Sequence, residues 1–131
     1  MSVERDNGAS LVPSRPSFRE ALSLAKRQIR MDCFTPEEGR MANDIAMIIA
    51  EIYLMDPDKP IRISGEWLDG HVVAAVFHEL TTEHVRQVMA DLLKNEAQIL
   101  NYKAYLRTCL YNAVFTFESS VTHQVRRDLG I

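Results

Sequence analysis

The chain has 131 residues, a size typical of one domain that buries a single hydrophobic core. Its composition, 47% apolar and 25% charged, excludes a fibrous or wholly disordered protein. The net charge of −3 argues against a protein that binds nucleic acid over its whole surface. The charge is uneven, because residues 35–100 carry five Lys or Arg and twelve Asp or Glu, whereas both ends of the chain carry more bases than acids.

The cellular compartment is suggested by the apolar runs and the cysteines. All apolar runs are far shorter than the roughly 18 residues that span a bilayer, and the N-terminus lacks the apolar segment of a signal peptide. Cys33 and Cys109 are far apart and form no Cys-x-x-Cys motif. We therefore expect a cytoplasmic protein that does not bind membranes, with reduced and partly buried thiols.

The first two helices are predicted by their start signals. Residues 1–16 hold few apolar side chains and are predicted to be a flexible N-terminal tail or a linker remnant, followed by a helical domain over residues 17–131. Ser17 can cap a basic amphipathic helix over residues 18–30. The sequence Thr35-Pro36-Glu37-Glu38 predicts a capping box and a central core helix that reaches about Leu54, before the prolines of residues 56–60 end it.

The rest of the chain predicts further helices. Residues 61–65 alternate between apolar and polar side chains and end at a glycine, which indicates a short extended segment or a turn. Helices are predicted over residues 70–79 and 82–94, from the cap Asn101 onward, and from Thr116 or Phe117 to a stop at Gly130. The prediction is an all-α protein, a compact bundle of about six helices. The predicted core includes Ile45, Ile48, Ile52, Phe77, Val88, Leu92, Leu106 and Leu110.

A search for catalytic chemistry finds no phosphate loop, hydrolase motif, zinc motif or calcium loop. His71 and His78 lie nearly on one helical face and could bind a metal, but a solvated pair is the preferred interpretation. His84 lies in the first turn of its helix, which favours a neutral hydrogen-bonding role. Cys109 is interpreted as a buried inert thiol rather than a nucleophile. We therefore expect that the protein is not an enzyme and that it binds neither a cofactor nor a metal ion.

One stripe of residues is not explained by the core. Lys103, Arg107 and Tyr111 follow at a spacing of four, about 90° to 170° from the centre of the core face. In one interpretation Tyr111 packs under the last helix against Phe117 or Val121, and the two cations are solvated.

In the second interpretation the stripe is an exposed binding surface, extended by Arg126 and Arg127 of the last helix. Cations with an aromatic ring between them suit phosphates as well as an acidic patch on a partner protein. These five residues are the candidates for binding DNA or a partner.

Several motifs in residues 61–117 are shared with a known family: Ile61-Arg62-Ile63-Ser64-Gly65-Glu66, Val72-Val73, His84-Val85, Asn101-Tyr102-Lys103-Ala104-Tyr105-Leu106 and Leu110-Tyr111-Asn112-Ala113. With them the chain resembles the C-terminal domain of replication initiator protein A of plasmids and integrative elements of Gram-positive bacteria. The resemblance implies a helical module that follows a winged-helix domain and is similar in style to the C-terminal domains of DnaD-like primosome proteins.

The same resemblance carries the functional expectation. It implies a non-enzymatic DNA-replication module of a mobile genetic element, which docks host priming machinery, a primase or a helicase-loading protein, and contacts DNA weakly. This chain has Ala74, Val76 and Ala104 where the family tends to carry Lys or Arg. These 131 residues include no winged-helix segment, so we expect either an excised domain or a stand-alone relative of the family. The alternative is a stand-alone adaptor or inhibitor that binds another host protein. A metal-dependent or thiol enzyme is the third and least favoured interpretation.

Overall fold

The fold is mainly helical, as the sequence predicts. A computed structural model describes residues 16–94 and 101–128, with side chains up to residue 116. The described residues form five α-helices, a 3₁₀ turn and a two-stranded hairpin. Their bounds are α1 Phe18–Gln28, the 3₁₀ turn Met31–Cys33, α2 Pro36–Leu54, β1 Ile61–Ile63, β2 Glu66–Leu68, α3 Gly70–His78, α4 Thr82–Lys94 and α5 Tyr102–Asp128. The predicted N-terminal tail lies outside the described residues except for Pro16.

Both predicted helix starts are confirmed. The Ser17 hydroxyl accepts a hydrogen bond from the backbone N–H of Glu20 at 3.2 Å, and the Glu20 carboxylate accepts from the backbone N–H of Ser17 at 2.8 Å. Thr35 and Glu38 form the same box at the start of α2. The Thr35 hydroxyl accepts from the backbone N–H of Glu38 at 3.3 Å, and the Glu38 carboxylate accepts from the backbone N–H of Thr35 at 2.8 Å. Each box satisfies two backbone donors that a helix start leaves without partners, so the chain enters both helices at the residues that the sequence indicates.

The predicted break near Thr116 is wrong, because α5 continues without interruption from Tyr102 to Asp128. That stretch contains no glycine or proline, and threonine inside a helix costs only about 0.7 kcal/mol or less. The bundle therefore has five α-helices in the described residues instead of about six. Asn101 does cap α5, accepting from the backbone N–H of Ala104 at 3.1 Å. The predicted stop at Gly130 lies outside the described residues.

The segment at residues 61–65 forms the first half of a β-hairpin. β1 pairs antiparallel with β2, and the loop between them consists of Ser64 and Gly65 alone. Both loop residues have positive φ, 54° and 84°, as a two-residue loop needs in order to match the twist of its strands. Ile61 and Ile63 are buried, so the hairpin closes one side of the core.

α2 lies at the centre of the core and packs against α1, α3, α4 and α5. All eight residues predicted to be in the core are buried, which confirms the helical spacing. Among the described helices none is both long and apolar enough to cross a membrane.

Gln28 joins three helices through polar contacts. Its side-chain amide donates to the carbonyls of Phe77 and Leu80, both at 2.9 Å, which satisfies acceptors at the end of α3. Its side-chain oxygen accepts from the hydroxyl of Tyr53 on α2. Burial raises the pKa of Tyr53 to about 12, so the phenol stays protonated as a donor. This contact fixes the C-terminal end of α1 on α2 and α3.

Candidate functional site: the groove between α2 and α5

The predicted stripe on α5 faces an acidic residue of α2. Lys103 Nζ lies 2.7 Å from one carboxylate oxygen of Glu51, and Arg107 Nη2 lies 3.9 Å from the other. The Lys103 side chain is 63% exposed, whereas that of Arg107 is only 21% exposed. The two cations are therefore neither merely solvated nor freely presented, because one carboxylate partly neutralises both.

Tyr111 packs partly buried against the core. Its ring contacts that of Phe115 at a centroid distance of 5.3 Å and an interplanar angle of 55°. Because α5 is one continuous helix, Tyr111 meets the ring one turn further along the same helix, as side chains four residues apart do. A partly buried Tyr111 contributes little to an exposed binding stripe.

Four other residues of the stripe hypothesis lie further along α5: Phe117, Val121, Arg126 and Arg127. Their backbone belongs to the helix, and their side chains lie outside the described part of the chain. Of the five predicted site residues, the structure brings Lys103 and Arg107 together on Glu51.

A groove lies beside this ion pair, and we call it the α2–α5 groove. Its volume is about 200 Å³, and it is lined by Asp44, Met47, Ile48 and Glu51 of α2 and by Tyr102, Lys103 and Leu106 of α5. Ile48 and Leu106 are buried and form its floor. Met47 and Tyr102 remain 36% and 38% exposed. The groove thus combines an apolar floor with two large side chains that remain partly open to solvent.

The two carboxylates of the groove differ in whether they already have a cationic partner. Glu51 is engaged with Lys103 and Arg107, whereas Asp44 forms no ion pair with the described residues. Burial, and then the negative charge of Asp44, raises the pKa of the Tyr102 phenol. Asp44 is therefore the carboxylate that can receive a cation from outside.

The two histidines considered as a metal pair have separate partners. His71 Nε2 lies 2.8 Å from Asp58, and this hydrogen bond is the main cause that raises the pKa of His71. The ring of His78 stacks on Tyr53 at a centroid distance of 4.3 Å. Within residues 16–94 and the described part of α5, no three His, Cys, Asp or Glu side chains come together as metal ligands.

The remaining candidates for chemistry have structural surroundings. His84 is buried, and its Nδ1 accepts from the backbone N–H of Thr81 at 2.9 Å, the hydrogen-bonding role predicted for it. Burial raises the pKa of the half-buried Cys109 thiol, which disfavours the reactive thiolate. Cys33 is exposed, contrary to the expectation of a partly buried thiol, because the 3₁₀ turn containing it lies at the surface.

Comparison with known proteins assigns a family. Residues 15–131 match a family described as a family of unknown function, DUF6017. The chain belongs to this family. The match covers every described helix and the hairpin. Neither a curated protein nor a solved structure matches the chain.

In this DUF6017 chain, sequence reasoning missed the α2 side of the groove. Met47 lies on the central core helix but outside its isoleucine stripe, and an exposed methionine there was the available signal. Glu51 gave no signal, because only the tertiary contact between α2 and α5 places it beside two cations. The hairpin also carries an exposed Trp67, with the guanidinium of Arg62 5.5 Å from its ring centroid.

Proposed function

We propose that this chain is a non-enzymatic docking module for the replication of a mobile genetic element, and that its α2–α5 groove binds a host priming protein. The groove carries the proposal, and the resemblance of residues 61–117 to replication initiator protein A gives it its context. The occupant is a short amphipathic segment of that protein with one apolar anchor and one cation.

The apolar anchor fits between two exposed side chains. Met47 is flexible and polarizable, so it adapts to an inserted side chain, and Tyr102 offers a rigid ring with a polar tip. Both lie over the buried Ile48 and Leu106, which form the apolar floor of the groove. An inserted apolar side chain would cover surface that is now exposed, and such central contacts contribute most of the affinity in many interfaces.

The cation of the partner is placed by charge complementarity. Asp44 lies in the groove wall without an ion pair among the described residues, whereas Glu51 is already shared by two cations. A partner lysine or arginine beside Asp44 would therefore fix the orientation of the bound segment.

The test uses purified primase and helicase-loading proteins of a Gram-positive host. We expect one of them to bind the wild type, and Met47→Ala or Tyr102→Ala to weaken binding by about fivefold or more, the loss of a central interface side chain. Leu93→Ala is the matched control, because Leu93 is exposed on α4 and lies outside the groove. Asp44→Asn should weaken binding less than the two truncations.

Two outcomes would contradict this function. If none of the priming proteins binds the wild type, the replication role is wrong. If the groove variants and Leu93→Ala lose the same amount of affinity, the groove is not the binding site. A different host protein that binds with the same sensitivity at Met47 would establish the adaptor or inhibitor role in place of the replication role.

A further inference from the structure

The outer surface of α1 presents cations that the packing of the fold does not use. Arg19, Ser23, Lys26 and Arg27 lie within about 100° of one another on the helix, and we call this set the α1 basic face. It points away from the core, because Ala21, Ala25 and Ile29 on the opposite side are all fully buried. The four residues line one open hollow of about 440 Å³, together with Leu22, Met31 and Asp32.

These cations are available to a ligand. Neither Arg19, Lys26 nor Arg27 forms an ion pair within the described part of the chain. Glu20 is held by the Ser17 capping box, and of the carboxylates that the structure describes only Asp32 lines the hollow. The stripe on α5 differs, because Glu51 engages both of its cations.

Arg19 is not explained by helix stability. Lys26 and Arg27 lie in the last turn of α1, where cations are favoured by the helix dipole. Arg19 lies in the first turn, where the same dipole opposes a positive charge. A cation that the helix disfavours, yet that lines the same hollow as two others, indicates a role in binding an anion.

We propose that the α1 basic face binds the phosphate backbone of duplex DNA without sequence preference. Arg19 to Arg27 extends about 12 Å along the helix axis. One strand of a duplex presents a phosphate about every 3.4 Å of its axis, so the face reaches three or four phosphates. The Ser23 hydroxyl can donate to a phosphate oxygen between the cations. This surface shares no residue with the α2–α5 groove.

The composition of the face distinguishes duplex DNA from other anionic ligands. Among the residues that the structure describes, no aromatic side chain lines the hollow, so this part of the chain provides no stacking platform of the kind that single strands use. The main apolar side of α1, with Ala21, Ala25 and Ile29, is buried against the core, and the exposed Phe18 and Leu24 lie about 120° apart around the helix, so α1 offers lipids no continuous apolar face. The contact is thus electrostatic and directed at a regular row of charges.

The test is fluorescence anisotropy with a short duplex of arbitrary sequence, at about 50 mM and about 200 mM salt. Three neutralised phosphates predict a slope of log K against log salt concentration of about −2.7. Lys26→Gln with Arg27→Gln should weaken binding about tenfold at the lower salt concentration and reduce the steepness of the slope by about two.

Three further variants test whether binding depends on the α1 basic face or only on the overall charge of the protein. Lys103→Gln with Arg107→Gln removes the same charge from α5 and should weaken binding clearly less than the α1 double variant does, since Glu51 partly neutralises those cations. Arg19→Gln should weaken binding without lowering the melting temperature. Asp32→Asn should strengthen binding by up to about fivefold, the effect of one repulsive charge near the surface.

The proposal would be overturned by wild type that does not bind the duplex at low salt concentration, or by equal losses in the α1 and α5 double variants. It would also be overturned by binding to vesicles that contain phosphatidylglycerol in the absence of binding to the duplex. Circular dichroism and melting temperature verify that each variant is folded.

Discussion

Two basic surfaces of this protein look alike in the sequence and differ in the structure. The α1 basic face and the stripe on α5 both place cations at helical spacing on the side away from the core. On α5 the carboxylate of Glu51 reaches Lys103 and Arg107, whereas no described carboxylate pairs with Arg19, Lys26 or Arg27. The comparison shows that a neighbouring helix, and not the helix that carries the cation, decides whether the cation is free to bind a ligand.

α2 supports both surfaces, because α1 packs on one side of it and Glu51 extends from it toward α5. Ile48→Ala should therefore give the largest effect. Ile48 is 3% exposed and forms the groove floor with Leu106, so its truncation should lower the free energy of unfolding by about 2 to 5 kcal/mol. Chemical denaturation measures this loss.

Met47→Ala is the control for that prediction. Met47 is adjacent in sequence but 36% exposed, so its truncation should cost much less. If the two variants lose the same free energy of unfolding, burial of Ile48 does not determine the stability of α2. The view that α2 supports both surfaces would then be wrong.

The next effect concerns how α1 is held in place. Gln28→Ala removes the hydrogen bonds to the carbonyls of Phe77 and Leu80 and leaves the partly buried hydroxyl of Tyr53 without this partner. We expect a loss of about 1 to 3 kcal/mol in the free energy of unfolding, the cost of partly buried polar groups without partners.

Gln87→Ala provides the matched control, since Gln87 is exposed and its one side-chain hydrogen bond within the described residues is to Asp91 on its own helix. Thermal melting distinguishes the two substitutions. If they are equally stable, then Gln28 does not position the α1 basic face, and the orientation of that face depends on apolar packing alone.

Glu51→Gln tests the difference between the surfaces most directly. It should cost about 1 kcal/mol or less in stability, because Lys103 is largely exposed and solvent screens the pair. The substitution releases both cations of the α5 stripe, so affinity for a short duplex should rise by no more than about fivefold, the effect of one charge in water.

Adding Lys103→Gln and Arg107→Gln to the Glu51→Gln protein should abolish that gain. Anisotropy at low salt concentration measures both steps. A Glu51→Gln protein with the affinity of wild type would mean that the ion pair does not control the availability of the stripe, and the contrast between α1 and α5 would need another cause.

The smallest effect concerns an exposed pair, His71 and Asp58. The hydrogen bond to Asp58 raises the pKa of His71, so Asp58→Asn should return that pKa toward the ordinary value, as an NMR titration of the imidazole can measure. Because the folded-state pKa is the raised one, the stabilisation is present below the unfolded-state pKa and is lost as pH rises through the folded-state pKa.

The melting temperature of Asp58→Asn should accordingly fall below that of wild type at acidic pH and match it at alkaline pH. The reverse dependence on pH, or an unchanged pKa of His71, would show that the pair does not form in solution. Compared with Glu51, this pair is open to water on both sides, so a weaker effect is expected.

Local signals determined much of the fold. The capping boxes at Ser17 and Thr35, the cap at Asn101 and the isoleucine stripe of the central helix are interactions between residues three or four apart, so the sequence contains both partners. The helix ends were less predictable: α1 is shorter than expected, and α5 continues through Thr116, because a weak helix former does not by itself stop a helix.

The candidate site depends on contacts between distant residues. The sequence by itself determined that Lys103 and Arg107 share a helix side, and that α1 is basic and amphipathic. Only the tertiary structure decided that Glu51 lies beside the former pair, that Met47 and Tyr102 face one groove, and that α1 turns its cations to solvent. The reason is physical: periodicity fixes the direction of a side chain relative to its own helix axis, whereas its charge environment is set by whichever helix packs against it.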